Sequence, residues 1–265
     1  ITVNMTSATA ETFVVGDVLG VNTGDEPGEV RITNFLTSDA AAPTDQHLLI
    51  VNGRDYLTIK NLTFVAVFVT TGYMVVNAFA SSSTNITIQD CSFLLSYVDG
   101  AASTNVMYFN IAANTNANIL IERCGFVMNG GLNCVYVRLN TSASADYDAG
   151  VVIRNCSFIG DWQGAAVAVA SAGLDAFYGG GVVVRNCSIF FGDAAFNSSS
   201  SELSTTYKSK FYNNFVFHSG YWNFAVLSAE VNQIDDKGNL VHSYLGYHAN
   251  VTSGAGTILN SYAPA

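Results

Sequence analysis

One eight-residue pattern recurs through the middle of this 265-residue chain and restricts its fold more than any other feature. Aliphatic or β-branched residues alternate with polar ones, then a polar residue, most often Asn, precedes Cys, and Phe follows two positions later. The five clear copies occupy residues 57–64, 86–93, 119–126, 151–158 and 182–189. Weaker copies occupy residues 30–35 and 211–217. Such regular recurrence predicts a repeat architecture, in which each copy forms the same part of one structural unit.

The spacing between copies identifies the kind of repeat. The apolar residues alternate with a period of two and show no helical period, which excludes ankyrin and tetratricopeptide units. Most repeats also contain a second apolar run, so each carries at least two strands. The Cys position falls at Phe35, Leu62, Cys91, Cys124, Cys156, Cys187 and Phe215, at intervals of 27 to 33 residues. We therefore predict an all-β parallel β-helix of about seven to eight coils, with equivalent strands stacked about 4.8 Å apart.

Stacking of the copies places equivalent side chains in columns along the axis. The Cys position points inward in this arrangement, and a buried thiol packs as a small hydrophobe. The Phe position gives a second inward column, because side chains on a strand alternate between its two faces. The polar position before Cys is mostly Asn, which tolerates the left-handed backbone of a tight bend. We interpret these positions as a structural ladder of Asn34, Asn61, Asn155, Asn186 and Asn214 beside Cys91, Cys124, Cys156 and Cys187.

The repeat with its Asn and Phe columns resembles the right-handed parallel β-helix superfamily, the pectate-lyase-like fold, over residues 30–217. The resemblance implies architecture more than activity, because that superfamily includes polysaccharide lyases, glycoside hydrolases, surface adhesins and phage tailspikes. We expect residues 1–29 to form an N-terminal cap or first strand and residues 30–220 to form the β-helix. Residues 221–265 are expected to form the final coil or coils and a C-terminal cap or assembly segment. The end of this segment, residues 244–257 and 260–264, resembles tail-fibre and tailspike segments of phages.

Charge and composition limit the partners. The formal net charge is −10, and no run of Lys and Arg could neutralise a nucleic-acid backbone. The same charge disfavours anionic lipid surfaces, and it disfavours long acidic polysaccharides unless bound cations bridge the charges. The longest apolar stretches are too short to span a bilayer, so no membrane insertion is expected. The five cysteines include no CxxC pair, so the sequence predicts no metal site, and it predicts no cofactor.

The loops before the fourth and fifth clear copies contain candidates for ligand binding. Tyr147 and Tyr178 each lie nine residues before a Cys of the repeat, which predicts that their rings lie one coil apart. Asp148 and Asp175 flank them, and Trp162 follows on the far side of the copy. Aromatic rings stack on sugars and carboxylates bind sugar hydroxyls, so these residues favour glycan binding. The simpler interpretation is that they only cover the edges of the coils.

Asp161 and Asp193 are the carboxylates that a hydrolase of this fold would use. They lie on neighbouring repeats, one residue out of step, and a glycosidase needs two carboxyl groups about 5 to 9 Å apart. A calcium-dependent lyase would need a column of Asp residues facing an Arg or Lys base, and no such column occurs at matching offsets. The regular part of the repeat therefore predicts no catalytic column.

The sequence favours a non-catalytic structural or adhesive β-helix that acts outside the cell, on the cell surface or on a virion. Its expected partners are a cell-surface glycan and further copies of the chain in a homo-oligomer, or another assembly partner. A polysaccharide lyase or glycoside hydrolase of the same fold is one alternative. A self-assembling filament or shell subunit is another, supported by a charged content of only 11% and by many Asn, Ser and Thr residues.

Overall fold

The computed structural model of the chain contains 25 strands and no helix among the residues that it describes. Those residues are 12–19, 28–35, 48–51, 53, 55–68, 76–78, 83–97, 105–172, 178–198, 204–217, 222–226, 234–243, 248–249 and 258–261. The strands form three parallel sheets, and up to the last strand the chain passes through the three sheets in turn. The predicted fold class, an all-β parallel β-helix, is confirmed.

Sheet 1 contains the first half of each clear copy of the repeat. In order along the axis its strands are β1 (Thr12–Val15), β4 (Leu57–Lys60), β7 (Ile86–Gln89), β10 (Ile119–Glu122), β13 (Tyr147–Arg154), β16 (Gly179–Arg185), β19 (Ser209–Tyr212) and β22 (Ile234–Lys237). The pairing of β13 with β16 is interrupted by a bulge between Asp148 and Val151. Residues Gly150 and Gly181 adopt positive φ angles of 65° and 78° there, which glycine does without steric cost.

Sheet 2 contains the second half of each clear copy. Its strands are β2 (Arg31–Phe35), β5 (Thr63–Phe68), β8 (Ser92–Tyr97), β11 (Gly125–Asn129), β14 (Ser157–Asp161), β17 (Ser188–Phe190), β20 (Phe215–Phe217), β23 (Leu240–Ser243) and β25 (Ile258–Ser261). The copy therefore spans a corner of the solenoid, and its polar and Cys positions are the only residues between the two strands.

Sheet 3 is built mainly from the second apolar run of each repeat. Its strands are β3 (Leu49–Ile50), β6 (Val76–Ala78), β9 (Asn105–Ile111), β12 (Asn133–Asn140), β15 (Ala165–Ala172), β18 (Ala194–Ser198), β21 (Trp222–Val226) and β24 (His248–Ala249). Each coil thus carries three strands where the sequence predicted at least two. The three sheets contain eight, nine and eight strands. The sequence predicted seven to eight coils.

The corner between sheets 1 and 2 has the same geometry in successive coils. Its first residue adopts a left-handed backbone, with φ between 52° and 57° at Asn61, Asp90, Arg123, Asn155, Asn186 and Asn213. One such residue turns the chain sharply, so two residues suffice to pass from one sheet to the next. The repeat period varies because of the longer connections at the other two corners.

Stacked side chains fill the interior of the solenoid. The rings of Phe64, Phe93, Phe126 and Phe158 lie in register, with centroid separations of 5.0, 4.8 and 4.7 Å between successive rings. All four rings are fully buried. Ile189 continues this column opposite Phe158, as the spacing of the copies predicts. Burial of such rings is the largest apolar contribution that a single position makes to a core.

The register differs from the sequence alignment in the first and last copies. In the last copy Phe215 pairs with Ser188, one residue beyond the Cys position, so Val216 rather than Phe217 continues the Phe column. Consecutive Asn residues in that copy made two alignments equally good in sequence. In the first copy Phe35 pairs with Val67, because residues 30–35 belong to sheet 2 and β1 supplies the sheet 1 strand.

Candidate functional site

The predicted asparagine ladder occupies the corner between sheets 1 and 2, but its side chains point outward in the middle coils. Asn155 and Asn186 have the left-handed backbone expected of a bend, and both are exposed. Asn61 occupies the equivalent corner and is half-buried. Asn34 does not lie at a corner, because it belongs to β2, the first strand of sheet 2, and pairs there with Ala66. These asparagines therefore act through their backbone conformation.

Asn214 lies one position further along than the alignment predicts, in the position that Cys187 occupies one coil earlier. Its buried amide Oδ1 accepts a hydrogen bond from the backbone N–H of Cys187 at 2.9 Å. Its Nδ2 donates to Oδ1 of Asn239 in the next coil at 3.1 Å, and Asn239 is buried as well. The buried ladder of the last coils thus occupies the Cys position.

A second buried ladder lies at the start of sheet 3 and was not predicted. Asn133 donates from Nδ2 to Oδ1 of Asn105 at 2.7 Å, and it accepts from the backbone N–H of Ala165 at 2.7 Å. Both asparagines are buried. The sequence signal was present, since each Asn begins the second apolar run of its repeat, but the loops before these runs differ in length and conceal the equivalence.

The cysteines of the repeat form a buried column at the same corner. Cys91, Cys124, Cys156 and Cys187 are at most 2% exposed and none forms a disulfide. Each thiol lies close to the carbonyl oxygen two residues earlier, for example 3.2 Å from Cys156 Sγ to Arg154 O. Cys134, in sheet 3, is fully buried, and burial raises its pKa well above the ordinary value. The geometry is that of small core side chains.

Two of the predicted glycan-binding aromatic residues are buried and cannot present their rings to a ligand. Tyr147 is 7% exposed, and its hydroxyl donates to the carbonyl oxygen of Asn140 at 2.5 Å. Burial raises the pKa of Tyr147 to about 12. Trp162 is fully buried, and its Nε1 donates to the carbonyl oxygen of Ala194 at 3.1 Å. Both rings fill the solenoid because a large side chain near a corner gains more by burial than by exposure.

Tyr178 and Tyr147 are not the stacked pair that their equal spacing from Cys predicts. Tyr147 pairs in register with Gly179, so Tyr178 lies one residue earlier and on the other side of the backbone. Tyr178 is half-buried, and its N–H donates to Oδ1 of Asp146 at 3.0 Å. Asp175 lies outside the described residues.

Asp148 lines a depression on the outer face of sheet 1. The depression has a volume of about 250 Å³, and the backbone of β16 forms its floor at Gly181 and Val183. Its polar rim consists of Asp148, Thr206, Tyr207, Lys208, Lys210 and Asp235. Sequence reasoning found only the first of these, because residues 204–210 show no feature of the repeat. Carboxylates, ammonium groups and an exposed ring in one depression have the composition of a saccharide-binding surface.

Asp161 and Asp193 come together at the corner between sheets 2 and 3. Asp161 is exposed at the end of β14, whereas Asp193 is half-buried, with its N–H bonded to the carbonyl oxygen of Trp162 at 3.1 Å. Burial, and then the negative charge of Asp161, raise the pKa of Asp193. Phe191 precedes this loop with a φ of 65° and a 46% exposed ring. A strained aromatic residue beside two carboxylates is a candidate ligand site.

A chain of ion pairs crosses the sheet 1 edge of the corner. Glu122, whose side chain is 8% exposed, contacts Arg123 at 2.8 Å and Arg154 at 3.1 Å through Oε1. Arg123 also pairs with Asp90 at 2.7 Å. The hydrogen bond from Arg154 holds the pKa of Glu122 below its ordinary value of 4.5. Glu122 and Arg154 are register partners on adjacent strands, and Arg123 and Asp90 extend the contact along the axis.

The outer face of sheet 2 carries an apolar stripe that the sequence analysis did not identify. One outward position in successive strands holds Val65, Leu94, Val127, Ile159, Phe190 and Phe217. Leu94, Val127, Ile159 and Phe217 are 38% to 45% exposed. The neighbouring outward column consists of Ser92, Gly125, Ser157 and Ser188 before it reaches Phe215. The stripe is therefore continuous along the axis, with small side chains on one flank and Ser96, Asn129 and Asp161 on the other.

Comparison of the chain with protein-family models, with curated proteins and with solved structures finds no match. Within the described ranges, no group of three or more His, Cys, Asp or Glu side chains is arranged to hold a metal ion. The described part of the chain also contains no helix that could cross a membrane. Any functional conclusion therefore depends on the surfaces described above.

Proposed function

We propose that this chain is a structural, non-catalytic β-helix of the pectate-lyase-like superfamily that associates side by side with further copies of itself. It would act outside the cell, on the cell surface or on a virion, where such assemblies display adhesive surfaces. The observation that carries the proposal is the apolar stripe on sheet 2. A long exposed apolar patch usually marks an interaction surface.

The charges restrict where a second copy could bind. The chain has a formal charge of −10, so two copies repel each other over most of their surface. The stripe from Val65 to Phe217 and its neighbouring column from Ser92 to Phe215 contain no charged side chain. Small side chains beside the stripe allow a second sheet face to approach closely. Contact at this face therefore buries apolar surface where repulsion is weakest.

The test is the effect of a charge in the stripe on the oligomeric state. The variant Ile159→Lys places an ammonium group in the middle of the proposed interface, and Val152→Lys is its matched control on the outer face of sheet 1 in the same coil. Sedimentation velocity is expected to show dimers or larger assemblies for the wild type and for Val152→Lys, and monomers for Ile159→Lys. A wild type that stays monomeric at high concentration, or an Ile159→Lys variant that assembles normally, would contradict the proposal. Ordered polymers in electron micrographs would favour the filament or shell alternative.

A glycan-binding role for the free faces is supported by the depression on sheet 1. Tyr207 is 41% exposed there, with Asp148, Lys210 and Asp235 around it. A ring beside carboxylates and ammonium groups offers both stacking and hydrogen bonds to a saccharide. On a glycan array, we expect the wild type to bind and Tyr207→Ala to lose binding. Phe13→Ala, which removes an exposed ring elsewhere, is expected to keep it. Equal binding by both variants would contradict a glycan-binding site in the depression.

A polysaccharide hydrolase is the alternative favoured by the corner of Asp161 and Asp193. A general acid needs a carboxyl group with a raised pKa, and burial together with the charge of Asp161 raises the pKa of Asp193. The test is the release of reducing ends from a panel of polysaccharides, with unsaturated products measured for a lyase. Turnover by the wild type that disappears in Asp193→Asn and in Asp161→Asn would replace the non-catalytic proposal.

A further inference from the structure

Two arginines lie directly opposite each other on the outer face of sheet 1. Arg154 in β13 and Arg185 in β16 are register partners in adjacent parallel strands, which are about 4.8 Å apart. Like charges in directly opposite positions destabilise a sheet. A chain with only ten Lys and Arg residues nevertheless places two of them side by side here.

The charge of this pair is balanced on one side only. Glu122 is the register partner of Arg154 on the preceding strand and pairs with it at 3.1 Å, but Arg123 shares the same carboxylate oxygen. On the other side the register partner of Arg185 is Tyr212, whose hydroxyl donates to the carboxylate of Asp235. No hydrogen bond or ion pair joins the side chain of Arg185 to any part of the chain that the structure describes.

Unused hydrogen-bond donors accompany this unbalanced charge. The Nε atoms of both Arg154 and Arg185 are buried and have no hydrogen-bond partner. A buried donor without a partner costs about 1 to 3 kcal/mol, and more when it is charged. The rest of each side chain stays accessible, since Arg154 is 33% exposed and Arg185 is half-buried. Apart from the contact of Arg154 with Glu122, the accessible guanidinium N–H groups of the pair have no acceptor in the described part of the chain.

The surrounding face is positive, in contrast to the whole chain. Of the described residues, three acids lie at its outward positions, namely Glu122, Asp148 and Asp235, and Asp90 at the adjoining corner pairs with Lys60 at 3.7 Å. Six of the ten bases lie at outward positions of sheet 1 or in the turn before β19: Lys60, Arg154, Arg185, Lys208, Lys210 and Lys237. The depression with Lys210 begins beside this pair, because Lys210 is the register partner of Val183, two residues before Arg185. An anion is thus attracted to this face although the chain as a whole repels it.

We propose that Arg154 and Arg185 form a binding site for a single oxyanion group. A carboxylate, sulfate or phosphate group offers several acceptor oxygens, and guanidinium groups bind such oxygens by strong charge-assisted hydrogen bonds. An oxyanion bound between the two side chains neutralises their mutual repulsion and supplies the acceptor that Arg185 lacks. Free inorganic anions and acidic saccharides share this chemistry. The site does not depend on side-by-side assembly, because it lies on sheet 1 rather than on sheet 2.

Isothermal titration and thermal unfolding with sodium sulfate, compared with sodium chloride at the same ionic strength, test the site. The wild type is expected to bind sulfate saturably and to unfold at a higher temperature in its presence. The variant Arg185→Gln removes the charge and keeps much of the length, and it is expected to weaken binding about tenfold or more. Arg138→Gln, a half-buried arginine on sheet 3, is the matched control and is expected to bind like the wild type.

Two further measurements distinguish free anions from acidic saccharides and test whether a variant has simply misfolded. Glucose 6-sulfate and glucuronate, compared with glucose, show whether a saccharide can carry the anion, while binding of inorganic sulfate alone assigns the site to free anions. Arg185→Lys keeps the charge but loses the fork of donors, so it is expected to bind with intermediate affinity and to remain folded. Absence of saturable binding of any of these anions by the wild type, or undiminished affinity in Arg185→Gln, overturns the proposal.

Discussion

The middle coils and the last coils of this solenoid turn the same corner with different interiors. From β4 to β17 the position after the left-handed residue holds a thiol or Leu62, and the column beside it holds Phe or Ile. From β19 to β23 the first position holds Asn214 and Asn239, and the second holds Val216 and Val241. The left-handed residue itself persists, as Asn186 and Asn213 show with φ angles of 54° and 52°.

This difference separates what the corner requires from what it tolerates. The corner requires one residue with a left-handed backbone, since otherwise two residues could not connect strands of different sheets. The buried position tolerates either a thiol, which packs, or an amide, provided that the amide forms hydrogen bonds, as Asn214 and Asn239 do. The apolar column is richer in the middle, where stacked rings give the greater burial. We therefore expect the two regions to respond differently to substitution of their columns and equally to substitution of their corners.

The largest expected effect is the loss of a stacked ring in the middle coils. Phe126→Ala removes a ring that lies between Phe93 and Phe158, and it should lower the free energy of unfolding by about 3 to 5 kcal/mol. Val216→Ala, at the same position of the last coils, removes fewer atoms and should cost about 2 kcal/mol. Denaturant unfolding measures both values. Equal costs would show that the ring column does not stabilise the middle coils preferentially.

The next effect concerns the buried position of the corner. Here we expect substitution in the last coils to cost more stability than substitution in the middle coils. Asn214→Ala leaves the N–H of Cys187 without its acceptor, which should cost about 2 to 3 kcal/mol. Cys187→Ala, one coil earlier, removes only a small packed group and should cost about 1 kcal/mol. The same unfolding measurement compares them. A larger cost for the cysteine variant would mean that the amide ladder contributes less than its hydrogen bonds indicate.

The corner residue itself should behave alike in both regions. Ala in a left-handed conformation costs about 1 kcal/mol relative to Asn or Gly, so Asn155→Ala and Asn213→Ala should lower stability by similar amounts. Asn155→Gly and Asn213→Gly are the matched controls, and they should stay within about 0.5 kcal/mol of the wild type. Thermal unfolding of the four variants provides the comparison. If Gly destabilised as much as Ala, the exposed side chains of these asparagines would be needed.

The smallest effect is a dependence on pH that arises from Glu122 in the middle coils. The pKa of Glu122 is below its ordinary value of 4.5 because of Arg154, so its contribution to stability is complete above about pH 4.5 and is lost as the pH falls through the lower, folded-state pKa. Because the group lies near the surface, this contribution should be below about 1 kcal/mol. Glu122→Gln should make the melting temperature less dependent on pH between 5 and 3. A wild-type profile that matches Glu122→Gln would exclude the ion pair as a source of stability.

Predictions from the sequence succeeded where the repeat is local and regular. The alternation of apolar residues was sufficient to assign the inward columns from Phe64 to Ile189, because a strand has a period of two and successive copies fall in register. They failed where two alignments were chemically equivalent, as at Asn213 and Asn214. They failed also for Tyr147 and Trp162, since the sequence of a loop does not show whether its aromatic ring points into the core or away from it.

The charge of the molecule also shows one property that the sequence predicts and another that only the structure reveals. The total of −10 is a property of the sequence, and it argued against acidic ligands. Only the assembled sheets show that most of the bases share one face and that Arg185 has no acidic partner there. Net charge sums over the chain without regard to position, whereas a ligand responds to the few charges that lie near its own.

The sequence by itself determined the fold class, the inward columns and the left-handed corner, because each depends on residues within one eight-residue copy. The tertiary structure alone decided the third sheet, the apolar stripe on sheet 2 and the set of residues around the depression on sheet 1. Those features depend on the length and path of each loop between one strand and the next. Loop length varies from coil to coil, so the contacts beyond the corner follow from the packing of whole coils rather than from the pattern of one copy.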